Sequence, residues 1–378
     1  MIDEILKEIS EEIINLRRFF HKNPEMAFEE FTTSKKIAEY LKSIGIEVWQ
    51  NVAKTGVVGL IRGNGEGKTI LLRADMDALP LQEEASHNYC SQTKGIMHAC
   101  GHDVHISTLL GAATVLQRLK HTFNGNVKLI FQPAEEATGG AEPMIKQGVL
   151  ENPKVDCAFA FHIWDSIKAG QVMVKYGSVM ASPDHFNIYI KGRGGHGAIP
   201  APCINPISVG AQIVDALHKI KTEKQSVVTI CSFQGGNSGN IIPDTAILKG
   251  TARTLDPQTR KMVYELICKA CNDIAKSAGA KCEIDYRFLY PPCINDDKTV
   301  DLFVESAKKI IGSDNILFQQ EPDMIGEDFA YFAEKVPACF VKLGGATAPL
   351  HTSKFDVDEK SIIIGAKLMS AFAIDYLK

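Results

Sequence analysis

The sequence of 378 residues predicts an α/β protein interrupted by a small α+β insertion. Three observations carry that reading. Short apolar runs alternate with helix-like segments through the first half. The middle changes to a β-α-β-β-α-β order, and the chain from about residue 295 returns to helix–strand–helix alternation. At roughly 150 residues per domain, the length is that of two domains.

The elements follow from patterning. Ile2, Ile5, Leu6, Ile9, Ile13, Leu16 and Phe20 recur at helical spacing, so the N-terminal segment reads as an amphipathic helix rather than an export signal, which would need a basic start and a small-residue cleavage site. Thr33–Ile44 reads as a second helix. Val57–Arg62, Thr69–Asp75, Val127–Gln132 and Cys157–Trp164 are continuous apolar runs, as expected for strands covered on both faces, with a helix at Ile106–Leu119. In the middle, Phe186–Lys191, Val227–Phe233, Ala246–Thr254 and Lys281–Phe288 read as strands, and Pro206–Thr222 and Gln258–Ser277 as helices. That is the ferredoxin-like βαββαβ order. Ser182-Pro183 and Pro291-Pro292 flank it and suit hinges. The expected division is a discontinuous catalytic domain of residues 1–181 and 294–378 with a mixed sheet, and an inserted lid of residues 182–293.

Composition excludes several classes. With 45% hydrophobic and 23% charged residues the chain can bury a large core, which argues against disorder. A net charge of -4 argues against phosphate-driven nucleic-acid binding. No apolar run approaches the roughly 18 residues of a membrane span. Ten cysteines scattered without an export signal predict reduced thiols and a cytoplasmic location.

The densest chemical signal is Met97-His98-Ala99-Cys100-Gly101-His102-Asp103-Val104-His105. Three imidazoles, a thiol and a carboxylate so close together are the usual donors for zinc and its neighbours. No Glu stands between the histidines in the HExxH manner, so that mechanism does not transfer. Phe131-Gln132-Pro133-Ala134-Glu135-Glu136 places two carboxylates where a strand stops; one can bind metal while the other moves a proton. His162 ends the apolar run Ala158–Phe161, and His351 follows Gly344-Gly345 in a turn. Asp75 and Asp77 alternate past a strand end, a position suited to orienting a ligand histidine. Asp75 reads equally as a turn or capping residue.

Together the segments RADMDALP, MHACGHDVH, FQPAEE, GGHGAIP, GEDFAYF and LHTSKFDVDE resemble the zinc-dependent aminoacylase and carboxypeptidase family, in its hippurate hydrolase branch. The resemblance runs from His21-Lys22-Asn23-Pro24-Glu25 almost to the C-terminus. It implies a metallopeptidase-like catalytic domain with two divalent metals per subunit, zinc first, with manganese, cobalt or nickel sharing the donor set. The implied ligands are Cys100 as the bridge, His102, Glu136, His162 and His351. Glu135 is the implied general base and Asp77 the carboxylate that orients His102. Two dications against one thiolate and one carboxylate leave about +2, a surplus that acidifies water and stabilises an oxyanion. His196, in Gly194-Gly195-His196-Gly197, is the implied oxyanion-stabilising residue, often supplied by a partner subunit. Asn240 and Arg253 match substrate-holding positions, Arg253 by pairing with a carboxylate; an ordinary salt bridge on a sheet face is its plainer reading. Glu327-Asp328 also match, without an assigned role. The implied reaction is hydrolysis of N-acyl amino acids or short peptides, with the lid as the interface of a homodimer and no nucleic-acid or membrane partner.

The sequence admits three rival readings. Gly63-Asn64-Gly65-Glu66-Gly67-Lys68-Thr69 superficially resembles a P-loop, but position 62 is Arg62 and the segment precedes a strand, so a turn between two strands explains it better. A purely regulatory ferredoxin-like module leaves the His/Cys/Glu set unused. A metal-binding protein without turnover gives Glu135 no reason to stand beside Glu136.

Overall fold

The computed structural model describes residues 1–378. In chain order the elements are α1 (Ile2–Lys22), α2 (Phe31–Ser43), β1 (Glu47–Val52), β2 (Gly56–Arg62), β3 (Thr69–Asp75), α3 (His102–Arg118), β4 (Asn126–Gln132), α4 (Ala141–Lys146), β5 (Cys157–Trp164), β6 (Val172–Val174), β7 (Gly177–Met180), β8 (Ser182–Lys191), β9 (Gly195–His196), α5 (Pro206–His218), β10 (Ser226–Gly235), β11 (Ile241–Ile242), β12 (Thr245–Thr254), α6 (Pro257–Ser277), β13 (Lys281–Arg287), β14 (Cys293–Asn295), α7 (Asp297–Ile311), β15 (Ile316–Phe318), α8 (Ala330–Lys335), β16 (Ala338–Gly344) and α9 (Lys360–Tyr376). They form two compact units. The first is residues 1–177, 294–321 and 331–378, and the second is 178–293 with 322–330.

The first unit is built on an eight-stranded mixed sheet of order β1-β2-β4-β3-β5-β16-β6-β15. Its centre, β4-β3-β5-β16, is parallel, and β2 joins β4 antiparallel. The central strands are apolar on both faces, as the continuous runs predict: every residue of β3 and β16 is buried. Leu6, Ile9, Ile13, Leu16 and Phe20 make the buried stripe of α1. Each such side chain contributes roughly 1.5–3 kcal/mol of burial. A parallel sheet gathers its strand C-termini along one edge, where ligands bind in α/β proteins. That edge holds Asp75, Gln132 and His162.

Residues 63–68 connect β2 to β3, but the two strands are not neighbours; β4 lies between them, so the segment is a crossover and not a hairpin. Helix α3 begins at His102, four residues before its apolar pattern, because three of the four residues of its buried first turn, His102, Asp103 and His105, are polar. The edge strand β1, of mixed polarity and largely exposed, offers no continuous apolar run.

The second unit carries a four-stranded antiparallel sheet of order β10-β12-β8-β13, with α5 and α6 packed on it. This is the βαββαβ arrangement. Strand β8 starts at Ser182, so Pro183 lies inside a strand and not in a linker. The ladder to β13 ends at His185, and Pro183 faces only Arg253 of β12, so its missing N–H breaks no ladder on that side. Asp256 caps α6 by accepting from the N–H groups of Gln258 and Thr259.

Candidate metal centre

Gly101 makes the turn that starts α3. Its φ is 81°, and a Cβ there would stand 2.3 Å from Ile163 Cγ2, so only glycine lets the Cys100–His102 segment lie against β5. The turn delivers Cys100 and His102 to the C-terminal edge of the sheet. His162 arrives from β5 and Glu135-Glu136 from the loop after β4. His351 arrives from the loop after β16, with its N–H donating to Ala99 O at 2.8 Å.

These side chains converge. Cys100 Sγ lies 3.4 Å from His162 Nε2 and 3.2 Å from His351 Nε2. Glu136 Oε1 lies 3.1 Å from His351 Nε2 and 4.0 Å from His102 Nε2. Cys100, His102 and His162 form one group of donor atoms within metal-ligating distance, Cys100, Glu136 and His351 another, and His102, Glu135 and Glu136 a third. The five ligands expected from the sequence are thus brought together, with Glu135 among them.

Asp77 organises the loop. Its two oxygens accept from the backbone N–H groups of Glu135 and Glu136, each at 3.0 Å, and Oδ1 lies 3.3 Å from His102 Nδ1. Asp75, the other member of the alternating pair, sits at the end of β3 and bonds His105 Nδ1 at 2.5 Å and Arg73 at 2.6 Å. His105 Nε2 accepts from Ile163 N–H at 2.8 Å. Both nitrogens of His105 are therefore engaged within the protein, and it supports the floor of the site. Glu30 is a further residue that sequence patterning did not single out. It is fully buried and accepts from Ala134 N–H at 2.9 Å and Thr55 Oγ1 at 2.5 Å, fixing Ala134 at φ 58° just before Glu135.

The electrostatics fit a cation. Burial by itself would suppress protonation of His102, yet Asp75, then Asp77 and Glu136, raise it to about 10. Burial and the carboxylates of Glu136 and Glu135 push the Cys100 thiol well up. Burial, aided by His105, holds His162 down at about 3, leaving its ring neutral. His102 Nε2 is buried and makes no hydrogen bond. A thiol, three imidazoles and carboxylates in a negative potential, with unpaired donors facing inward, suit divalent metal of the zinc type.

His196, Asn240 and Arg253 belong to the second unit. His196 is exposed in β9 opposite Ile241, and Gly197 N–H donates to Asn240 O at 2.8 Å, so His196 and Asn240 lie close together across the β9–β11 ladder. Arg253 lies in β12 between Val227 and Pro183 with no carboxylate at ion-pair distance, which removes its salt-bridge reading. Burial lowers its guanidinium from the ordinary value. Glu327 and Asp328 are buried, and Glu327 accepts from Phe329 N–H at 2.8 Å.

Comparison with known proteins places this geometry. The sequence profile of peptidase family M20/M25/M40 matches residues 71–375. The chain is 40% identical to thermostable carboxypeptidase 2 of Saccharolobus solfataricus, covering 98% of this chain and 97% of that protein. It is 38% identical to a hippurate hydrolase of Campylobacter jejuni over the full length of both. A Bacillus subtilis dinuclear metal-binding peptidase superposes with a TM-score of 0.88 at 35% identity, covering 98% of this chain and 99% of that one. The profile spans most of the chain, the relatives span 98% of it or more, and the mixed sheet matches a dinuclear metal-binding fold, so this chain belongs to peptidase family M20/M25/M40.

Proposed function

We propose a division of labour for the residues of the site. The chain is a metal-dependent amidohydrolase, and its reaction is hydrolysis of the amide of an N-acyl amino acid. Cys100, His102, Glu136, His162 and His351 would hold a pair of divalent ions, zinc being the metal proposed, with Cys100 the residue that would be shared between them. When bound, the two ions polarise the scissile carbonyl and make water easier to deprotonate.

Glu135 takes the proton from the attacking water and delivers it to the leaving nitrogen, so that amide and water become carboxylic acid and amine. Asp77 holds the Glu135 and Glu136 backbone and faces the His102 ring, keeping base and ligand in register. His196 donates to the developing oxyanion, Arg253 pairs with the substrate carboxylate, and Asn240 adds a polar contact. The observation that carries the reading is the Asp77 clamp, which presents two consecutive carboxylates to an inward-facing thiol and three imidazoles.

The proposal extends to a homodimer through the second unit, supported by β10, an edge strand that exposes Val227 and Phe233. A cytoplasmic location is supported by ten free cysteines. No helix is long and apolar enough to cross a membrane.

The experiment is amine release, read by mass spectrometry, from a panel of N-acyl amino acids and dipeptides. The enzyme is stripped with chelator and reloaded with zinc, manganese, cobalt or nickel. Metal-restored release from N-acyl amino acids is the expected result. Release from dipeptides alone would move the reading to a peptidase, as the name of the 40% identical relative would have it. No release despite stoichiometric metal uptake would overturn it.

A further inference from the structure

Away from the Cys100 cluster, the first unit holds a second convergence of metal-ligating atoms that the amide chemistry does not use. The last turn of α1 supplies His21, and the long loop between β3 and α3 supplies Glu83 and His87. Glu83 Oε1 lies 3.2 Å from His21 Nε2 and 3.1 Å from His87 Nε2. All three donor atoms fall within 4.8 Å of one another. Donors at about 2.0–2.1 Å from a tetrahedral zinc stand roughly 3.3–3.4 Å apart, so the two Glu83–imidazole separations are compatible with a shared ion as well as with hydrogen bonds.

The rings are also oriented for it. His21 Nδ1 lies 2.8 Å from the buried Asp103 Oδ2. A proton on Nδ1 is donated to that carboxylate, and the Nε2 lone pair then points at Glu83. This carboxylate–imidazole relay is the usual support of a metal-binding histidine. His87 Nδ1 approaches Cys90 Sγ at 3.4 Å, while its Nε2 is buried and makes no hydrogen bond. Asp356 Oδ2 is a further oxygen, 3.8 Å from His87 Nε2.

Charge makes the same demand. The carboxylates of Asp103, Asp356 and Glu359 pair with the guanidinium groups of Arg17 and Arg18, and Glu83 lies against His21 and His87 with no arginine of its own. With both imidazoles neutral, two positive charges are lacking, which one divalent cation supplies.

We propose that His21, Glu83 and His87 form an additional divalent-cation site, separate from the Cys100 cluster, that pins the loop between β3 and α3 to α1. Its imidazole and carboxylate donors, with no thiolate, suit zinc or another borderline divalent ion. The proposal does not rest on the assignment of the hydrolytic site. The competing arrangement is a doubly protonated His21 that bridges Asp103 and Glu83 with no metal.

The test uses the full-length protein, stripped with chelator, reloaded with zinc chloride and freed of excess by gel filtration. Zinc per chain is counted by plasma mass spectrometry in the wild type and in His87→Gln, which alters a partly exposed loop residue outside the hydrolytic machinery. The expected result is one zinc fewer per chain in the variant; zinc on scattered thiols is common to both and cancels. Zinc should also slow amide exchange across residues 82–95 by about tenfold or more in the wild type and not in the variant. Equal zinc in the two proteins, or no zinc-dependent protection in the wild type, would overturn the site and leave the bridging His21 in its place.

Discussion

Asp184 in the second unit and Glu136 in the first are both carboxylates withdrawn from water, and their partners differ in kind. Asp184 is wholly buried and meets two nitrogens of Arg260, the Leu289 N–H and the Tyr286 hydroxyl. Its charge is neutralised inside the chain. Glu136 faces a thiol and two imidazoles and has no arginine or lysine beside it. Hydrogen bonding to His351 and the nearby imidazoles hold Glu136 below the ordinary carboxylate range, although burial alone would raise it. A buried carboxylate that carries its own arginine is structural. One surrounded by further acceptors is waiting for a cation from outside. Glu30 is a third case, with neither arginine nor metal donors around it.

Substitutions can break this comparison. Glu135→Gln should reduce kcat by about 10²–10⁴-fold with metal content unchanged, since it removes proton transfer and no ligand. Near-normal turnover would sink the base assignment. Asp184→Asn strands Arg260 and should destabilise the protein by about 3–5 kcal/mol in urea unfolding, again with metal content unchanged. Metal loss in that variant would contradict the claim that the Asp184 knot is purely structural. His196→Ala should lower kcat by about 10²–10³-fold and leave KM nearly constant, as for a group that acts on developing charge. A rise in KM alone would assign it to ground-state binding instead.

The smaller effects sharpen the contrast. Asp77→Asn replaces an acceptor that serves two N–H groups and faces His102, and should weaken metal affinity about 10–100-fold by competition with a chelator. Unaltered affinity would leave Asp77 with only its loop-fixing role.

Glu30 tests the carboxylate that no cation serves. Burial lifts it to about 7 against hydrogen bonds from Thr55 and Ala134, with the Asp77 charge adding to the rise. The folded protein then keeps a proton that the unfolded chain has already released above about 4.5. Stability falls as pH rises from there through about 7 and stays lower beyond. Gln at position 30 can still accept from Ala134 N–H and has nothing to titrate. The Tm of Glu30→Gln should therefore gain on that of the wild type between about pH 5 and 8. A difference that does not change with pH would return Glu30 to the ordinary range.

Much of this was legible before any coordinate. The bounds of β5 are those of its apolar run, Cys157–Trp164, because a strand buried on both faces needs no polar residue until it leaves the sheet. The donor-rich segment from His98 to His105 announced metal by residue type alone, and the family resemblance, borne out over the full chain, supplied the rest of the set. Other features were not legible. His105 stands within the same run as His102, and nothing in their spacing says that one faces the Glu136 loop while the other is locked between Asp75 and Ile163. Arg253 read equally as a sheet-face ion pair, and only its neighbours across the ladder exclude that. Glu30 looks like any acidic residue at a helix start until Ala134 and Thr55 are found against it.

The sequence by itself determined the class of chemistry and the order of the layers, since donor type, hydrophobic period and motif order are properties of residues along a line. The tertiary structure decided which donors meet. His351 and Cys100 are 251 positions apart yet lie in contact. Parallel strands gather their C-terminal ends along one edge of the sheet, and the identity of the residues there depends on strand order, which no local spacing encodes.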